Sequence, residues 1–117
     1  MDTTILHNPR CSTSRAALAS AEEAGVDVSV RPYLANPLDE ADLRDLVAKL
    51  EDPVTDLVRR DPNFARAGLT EADVETADQV VAVLVAHPEL LQRPVLVRGE
   101  RAIIGRPKER VAAFLAD

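Results

Sequence analysis

The sequence predicts an α/β fold, one mixed four-stranded sheet with helices packed around it. Three observations carry that expectation. Apolar residues switch between period-two and helical spacing in the order β-α-β, a helical middle, then β-β-α. Proline, glycine and helix-capping residues fall at the switches between those segments. The 117 residues are 46% apolar and only 3% aromatic, which suits a core built from Ala, Val and Leu rather than a disordered chain.

Each element has its own justification. Thr3-Thr4-Ile5-Leu6 reads as the end of a buried strand, broken at Asn8-Pro9 because proline lacks an N–H and restricts the residue before it. Ser12-Thr13-Ser14 favour helix N-caps, and a helix over Arg15 to Ala24 stops at Gly25. Val26 to Tyr33 alternates as a half-buried strand, making the first unit a right-handed parallel crossover. Leu34 to Pro37 is a loop. Asp39 caps a helix over Glu40 to Leu50, with Leu43, Leu46, Val47 and Leu50 at helical spacing. Asp52-Pro53 reads as a cap and first helical position, starting a short helix through Val58 that ends in Arg59-Arg60. Asp61 to Ala67 reads as an irregular polar stretch closed by Gly68, and Thr70 to Asp73 as a capped turn. Thr76 and Gln79 form a capping box for a helix whose apolar face is Val80, Val81, Leu84 and Val85, ending at His87-Pro88. Pro94 to Val97, the turn Arg98-Gly99-Glu100 and Arg101 to Ile104 make a hairpin. Pro107 opens a last helix with Val111, Phe114 and Leu115 inward. This order is that of a thioredoxin-like fold with a helical insertion over about residues 38–92, in a single domain over 1–117.

The bulk properties exclude several function classes. A net charge of −6 argues against a general nucleic-acid binder, which needs a basic face. One cysteine cannot make an intramolecular disulfide and fits a reducing compartment. No apolar run approaches the ~18 residues that span a bilayer, and MDTTILHNP lacks the basic-then-apolar pattern of a secretory leader. A soluble, cytoplasmic monomer is expected, since no segment carries an unexplained apolar stripe.

The chemistry centres on Cys11. It sits where a strand turns into a helix, and unpaired N–H groups with the positive end of the helix dipole stabilise a thiolate there. Lowering a thiol from about 8.5 by two units needs about 2.7 kcal/mol of differential stabilisation. The helix end supplies part of this, and His7, Arg10 and Arg15 lie near in sequence. The expected role of Cys11 is nucleophile. Arg59, Arg93 and Arg106 differ from the other arginines in standing at element ends next to breaks, where guanidinium forks suit a tetrahedral oxyanion.

The stretches His7-Asn8-Pro9-Arg10-Cys11-Ser12-Thr13-Ser14-Arg15, Tyr33-Leu34-Ala35-Asn36-Pro37, Leu57-Val58-Arg59, His87-Pro88, Arg93-Pro94-Val95-Leu96-Val97 and Gly105-Arg106-Pro107 resemble the glutaredoxin-linked arsenate reductase family, ArsC, over nearly the whole chain. The resemblance implies that Cys11 attacks arsenate, that Arg59, Arg93 and Arg106 hold the oxyanion, and that a cis bond precedes Pro94. With no second cysteine, an external thiol must resolve the adduct. The family pattern implies glutathione as co-substrate, or another low-molecular-weight thiol, with glutaredoxin as electron donor and no bound cofactor. His7 either lowers the thiol pKa as a cation or caps the strand end. Ser14 either donates to the sulfur or caps the helix, while Arg15 orders the loop or stabilises the thiolate, and Asn8 shapes the turn. Either Arg59 or Arg60 faces the anion, register favouring Arg59. Alternative readings are an ArsC-like oxidoreductase of another substrate, or a non-catalytic Spx-like regulatory module. Redox-sensing members of the latter use Cys-x-x-Cys, and position 14 here is Ser14. A phosphatase-type reductase needs Cys-x5-Arg, where this chain has Ala17. No metal is expected, since Cys11, His7 and His87 are too few soft ligands for a structural zinc.

Overall fold

Alternation along the first strand decides the layering. In the computed structural model, which describes residues 2–116, β1 (Thr3–His7) sends Ile5 to one face of the sheet and Leu6 to the other. Ile5 joins Ala17, Ala21, Leu96, Ile103, Val111 and Phe114 in a core under α1 (Ser12–Glu23) and α5 (Glu109–Ala116). Leu6 joins Leu43, Leu46, Val80, Leu84 and Val95 under α2 (Glu40–Lys49) and α4 (Ala77–Ala86). The result is three layers, helix–sheet–helix.

The sheet has the order β2-β1-β3-β4, with β2 (Ser29–Pro32) parallel to β1, and β3 (Val95–Arg98) antiparallel to both β1 and β4 (Arg101–Ile104). The expected mixed four-stranded sheet and its hairpin are present, and Gly99 adopts φ 61° in the two-residue turn. The registers His7↔Pro32, Leu6↔Val95 and Val95↔Ile104 align one end of all four strands. The outer edge of β4 is covered: Leu50 bridges Ala102, and the Glu51 N–H donates to the Ala102 carbonyl at 2.9 Å. Among the described residues no helix is long and apolar enough to cross a membrane.

Several local expectations are corrected. The N-cap of α1 is Cys11 itself, not one of the serines or Thr13 after it. Strand β2 covers only Ser29–Pro32, because the Val26 N–H donates to Ala21 O at the end of α1 instead of entering a ladder. Residues 62–66 are not irregular but form α3 (Pro62–Arg66): Asp61 accepts the Phe64 N–H, Pro62 fills the first turn, and Phe64 is the buried anchor. At Asp52-Pro53 the same dipeptide does something else. The Asp52 carboxylate accepts the Ile104 N–H at 2.9 Å and pairs with Arg110 at 2.8 Å, and Val54–Leu57 form only a 3-10 turn, with Pro53 as its cap. Pro107 does not open the last helix; it comes after a second cis bond, and α5 begins at Glu109. Val85 lies just beyond the buried arc of α4 and is 46% exposed.

Candidate active site

The aligned end of the sheet gathers the candidate residues. The chain leaves β1 through His7 and Asn8 into the Cys11 turn, closed by the Cys11 N–H donating to Asn8 O at 3.1 Å. It enters β3 from Arg93 through the cis Arg93–Pro94 bond, and leaves β4 through Gly105 into Arg106. Gly105 is required here by close approach: a Cβ would lie 2.8 Å from Pro94 Cγ and 3.0 Å from Leu96 Cδ1. The insertion delivers Arg59. Its N–H donates to Leu90 O at 2.8 Å, and the Gln92 N–H donates to Leu57 O at 2.7 Å, clamping residues 57–59 beside the segment that leads to Arg93.

At the centre, Cys11 is half-buried and free. Burial by itself pushes its thiol pKa up. The backbone N–H of Ser14, the Arg93 guanidinium, the backbone N–H of Thr13 and the charge of Arg106 together outweigh that and hold the thiol below its ordinary value. Arg106 Nη2 stands 3.4 Å from Sγ, and its Nε donates to the Arg93 carbonyl at 2.7 Å, so the backbone of one arginine aims the other. Neither Arg93 nor Arg106 has a carboxylate partner among the described residues, and Arg93 Nε is buried without an acceptor. Two unneutralised guanidiniums against a thiolate leave positive charge for an incoming anion.

Known proteins resemble this chain in both sequence and fold. The ArsC family model matches residues 6–114. The chain is 37% identical over 113 residues to an arsenate reductase of Neisseria meningitidis serogroup A, covering 95% of this chain and 96% of that one. It is 38% identical over 109 residues to the uncharacterized Escherichia coli protein YfgD, covering 92% and 91%. The solved arsenate reductase of Vibrio cholerae superposes with a TM-score of 0.85 at 31% identity, covering 97% of each chain. The chain belongs to the ArsC family. Its α/β fold is accordingly the thioredoxin-like one.

In this ArsC-family site the supporting residues occupy definite places. His7 is buried, and burial followed by the charge of Arg15 lowers its pKa, which favours the neutral ring over the cation. Its Nδ1 meets the fully buried Ser14 hydroxyl at 2.7 Å, and that hydroxyl also accepts the Asn8 N–H at 3.0 Å. The Ser14 side chain is therefore engaged with the loop, and its backbone N–H is the group on the sulfur. Arg15 Nη1 donates to Pro9 O at 2.9 Å, across the same turn. Asn8 Oδ1 accepts the Arg10 N–H at 2.9 Å, which shapes the turn.

Of the two adjacent arginines, Arg60 is committed elsewhere, to Glu71 and Thr55, with its guanidinium 5.6 Å from the Phe64 ring. Arg59 instead holds Gln92 Oε1 at 3.0 Å and Asp61 at 3.4 Å, within electrostatic reach of Tyr33. Gln92 carries no signal in the sequence; its amide oxygen also accepts the Arg93 N–H at 3.3 Å, joining the two arginines. A cleft of about 580 Å³ opens beside the turn, with Asn8, Arg10, Leu34 and Arg93 among its lining residues. No cluster of three or more metal-ligating side chains occurs among the described residues.

Proposed function

We propose that this chain is a thiol-dependent arsenate reductase. The observation that carries the reading is the Cys11 sulfur, lowered in pKa and 3.4 Å from Arg106 Nη2, beside an Arg93 that has no carboxylate partner among the described residues. Relatives named arsenate reductase, at 35% and 37% identity, support arsenate as the anion. Arg59, Arg93 and Arg106 offset the charge of arsenate, and Cys11 Sγ attacks arsenic as one oxygen leaves as water, giving a thiolate–As(V) adduct. An external thiol then replaces a second oxygen, again as water. A further thiol attacks that thiol's sulfur, forming a disulfide and leaving the bond's electron pair on arsenic, now As(III). Hydrolysis releases arsenite and restores Cys11. Two external thiols are oxidised for each arsenate, a requirement imposed by the single cysteine of the chain.

Glutathione with glutaredoxin is the proposed donor pair. The test is NADPH oxidation coupled through glutathione reductase, omitting one component at a time. Oxidation that requires arsenate, glutathione and glutaredoxin together supports the donor assignment. Arsenate-dependent turnover supported equally by another small thiol replaces the donor and keeps the reductase. Absence of any arsenate-dependent turnover overturns the function.

A further inference from the structure

Tyr33 is the largest fully buried side chain among the described residues, 1% exposed; the Asn8 amide beside it acts on the phenol as a donor, and no acceptor lies within hydrogen-bond distance of its proton. Buried hydroxyls are normally paired, so a proton left without an acceptor asks for an explanation. Its position in the fold supplies one. The register His7↔Pro32 puts the residue after β2 alongside the residue after β1, so Tyr33 stands next to Asn8 at the active end of the sheet. The Ala35 and Asn36 N–H groups both donate to Pro32 O, at 3.0 and 2.9 Å, and fix the turn that directs Tyr33 inward. Its ring packs among Leu38, Leu43, Leu84 and Leu91, on the apolar side. Its hydroxyl lies beside the Asn8 amide and within electrostatic reach of Arg93, Cys11 and Arg59. Asn8 Oδ1 is turned to the Arg10 N–H, so the Asn8 group that acts on the phenol is its N–H, a donor rather than an acceptor. Around this O–H, then, stand the two arginines Arg59 and Arg93 and, beyond hydrogen-bond distance, the sulfur, and its proton has no acceptor within reach.

We infer that the Tyr33 hydroxyl is a further donor to the bound oxyanion, completing with Arg59, Arg93 and Arg106 the set of groups that hold it over Cys11. This rests on the oxyanion site proposed above and extends it to a residue on the opposite side of the turn. A neutral donor suits that position: burial and the Cys11 charge oppose ionisation of the phenol, so it keeps its proton and donates it to an anion oxygen without adding net charge. A fixed O–H also selects for geometry, because it reaches an oxygen only when the anion is seated between the arginines.

The chain offers an internal reporter, since Tyr33 is its only tyrosine and it has no tryptophan. The experiment titrates the parent, Tyr33→Phe and Arg93→Ala with sulfate, a redox-inert tetrahedral anion, and with arsenate. It follows protection of Cys11 from alkylation and, in the parent, the near-UV absorption of Tyr33. Expected are a red shift of the tyrosine band on saturation and about tenfold weaker anion protection in Tyr33→Phe, the scale of one hydrogen bond to a charged acceptor. The alkylation pH profile of the free enzyme and its melting temperature should stay near those of the parent. Anions that protect Cys11 while the tyrosine band stays put, or a Tyr33→Phe variant that binds them as the parent does, overturn the Tyr33 assignment and leave the oxyanion site standing. If neither anion protects Cys11 in the parent, the oxyanion site falls and this inference with it.

Discussion

A thiol at a helix N-cap is worth little as a nucleophile until its proton is gone, and at Cys11 the groups that remove it are identifiable. Replacing Arg93 or Arg106 by alanine removes one of the lowering causes, so half-ionisation moves to higher pH and alkylation at neutral pH slows several-fold, read from the alkylation pH profile. Arg93→Ala also takes a donor from the transition state and should lower kcat/KM by about 100-fold. The same ionisation is visible in stability. Because the folded thiol ionises below its unfolded value of about 8.5, its stabilising contribution is fully present above that pH and is lost as pH falls through the folded value. The parent should therefore gain on Cys11→Ser in urea denaturation as pH is raised across that window; a constant difference would contradict the depressed thiol. Ser14→Ala strips the buried Asn8 N–H of its acceptor and His7 of its partner, at a cost of about 1–3 kcal/mol by the same denaturation measurement. At this scale the sequence made Cys11 and its neighbours visible, since they are adjacent along the chain. It could not choose between the two roles of His7 and of Ser14, because that choice depends on burial and on which nitrogen meets which oxygen.

Elements converge on the site because strand ends do. Strands β1 and β2 end, β3 begins and β4 ends at one edge, and a register set by alternating apolar residues brings Cys11, Tyr33, Arg93 and Arg106 together without long connections. Gly105 is the tightest point of that edge. Gly105→Ala should cost about 1–3 kcal/mol through overpacking against Pro94 and Leu96, and should also weaken oxyanion binding, since Pro94 and Arg106 flank it. Unchanged stability in urea denaturation would mean the edge has room to relax. The β-α-β unit, the capped helices and the hairpin were legible because each depends on local spacing and capping. The two Asp-Pro pairs come out the opposite way round from the sequence reading: Asp61, in the stretch that reads as irregular, makes the local capping bond, whereas Asp52, which reads as the cap, gives its oxygens to β4 and Arg110, residues far along the chain. Tyr33, the residue of the inference above, carries no site role in the sequence reading although it heads one of the resembling stretches. It stands one position out of step with Val26, Val28 and Val30, and only pairing with β1 sets it beside Asn8.

Over the whole molecule, two cores separate the tasks. The α1/α5 side carries the cysteine helix, while the α2/α4 side supports the insertion that brings Arg59. Leu84→Ala, at a position 2% exposed in the second core, should destabilise by about 2–5 kcal/mol by urea denaturation and leave the Cys11 alkylation pH profile unmoved, since no α4 group touches the thiol. An acidic chain of net charge −6 nevertheless has an anion as its proposed substrate. Local charge decides: Arg44, Arg60, Arg101 and Arg110 are paired with carboxylates, and Arg93 and Arg106 are left without them among the described residues. Sequence placed the arginines at element breaks, but which ones stay unneutralised depends on tertiary pairing. The most direct measurement is arsenite formed from arsenate, quantified by arsenic speciation with glutathione and glutaredoxin present, for the parent and Cys11→Ser. Arsenite produced by the parent and reduced to the uncatalysed background in Cys11→Ser is the predicted result. Equal arsenite from both proteins, or none from the parent, would contradict Cys11 as the nucleophile of an arsenate reductase.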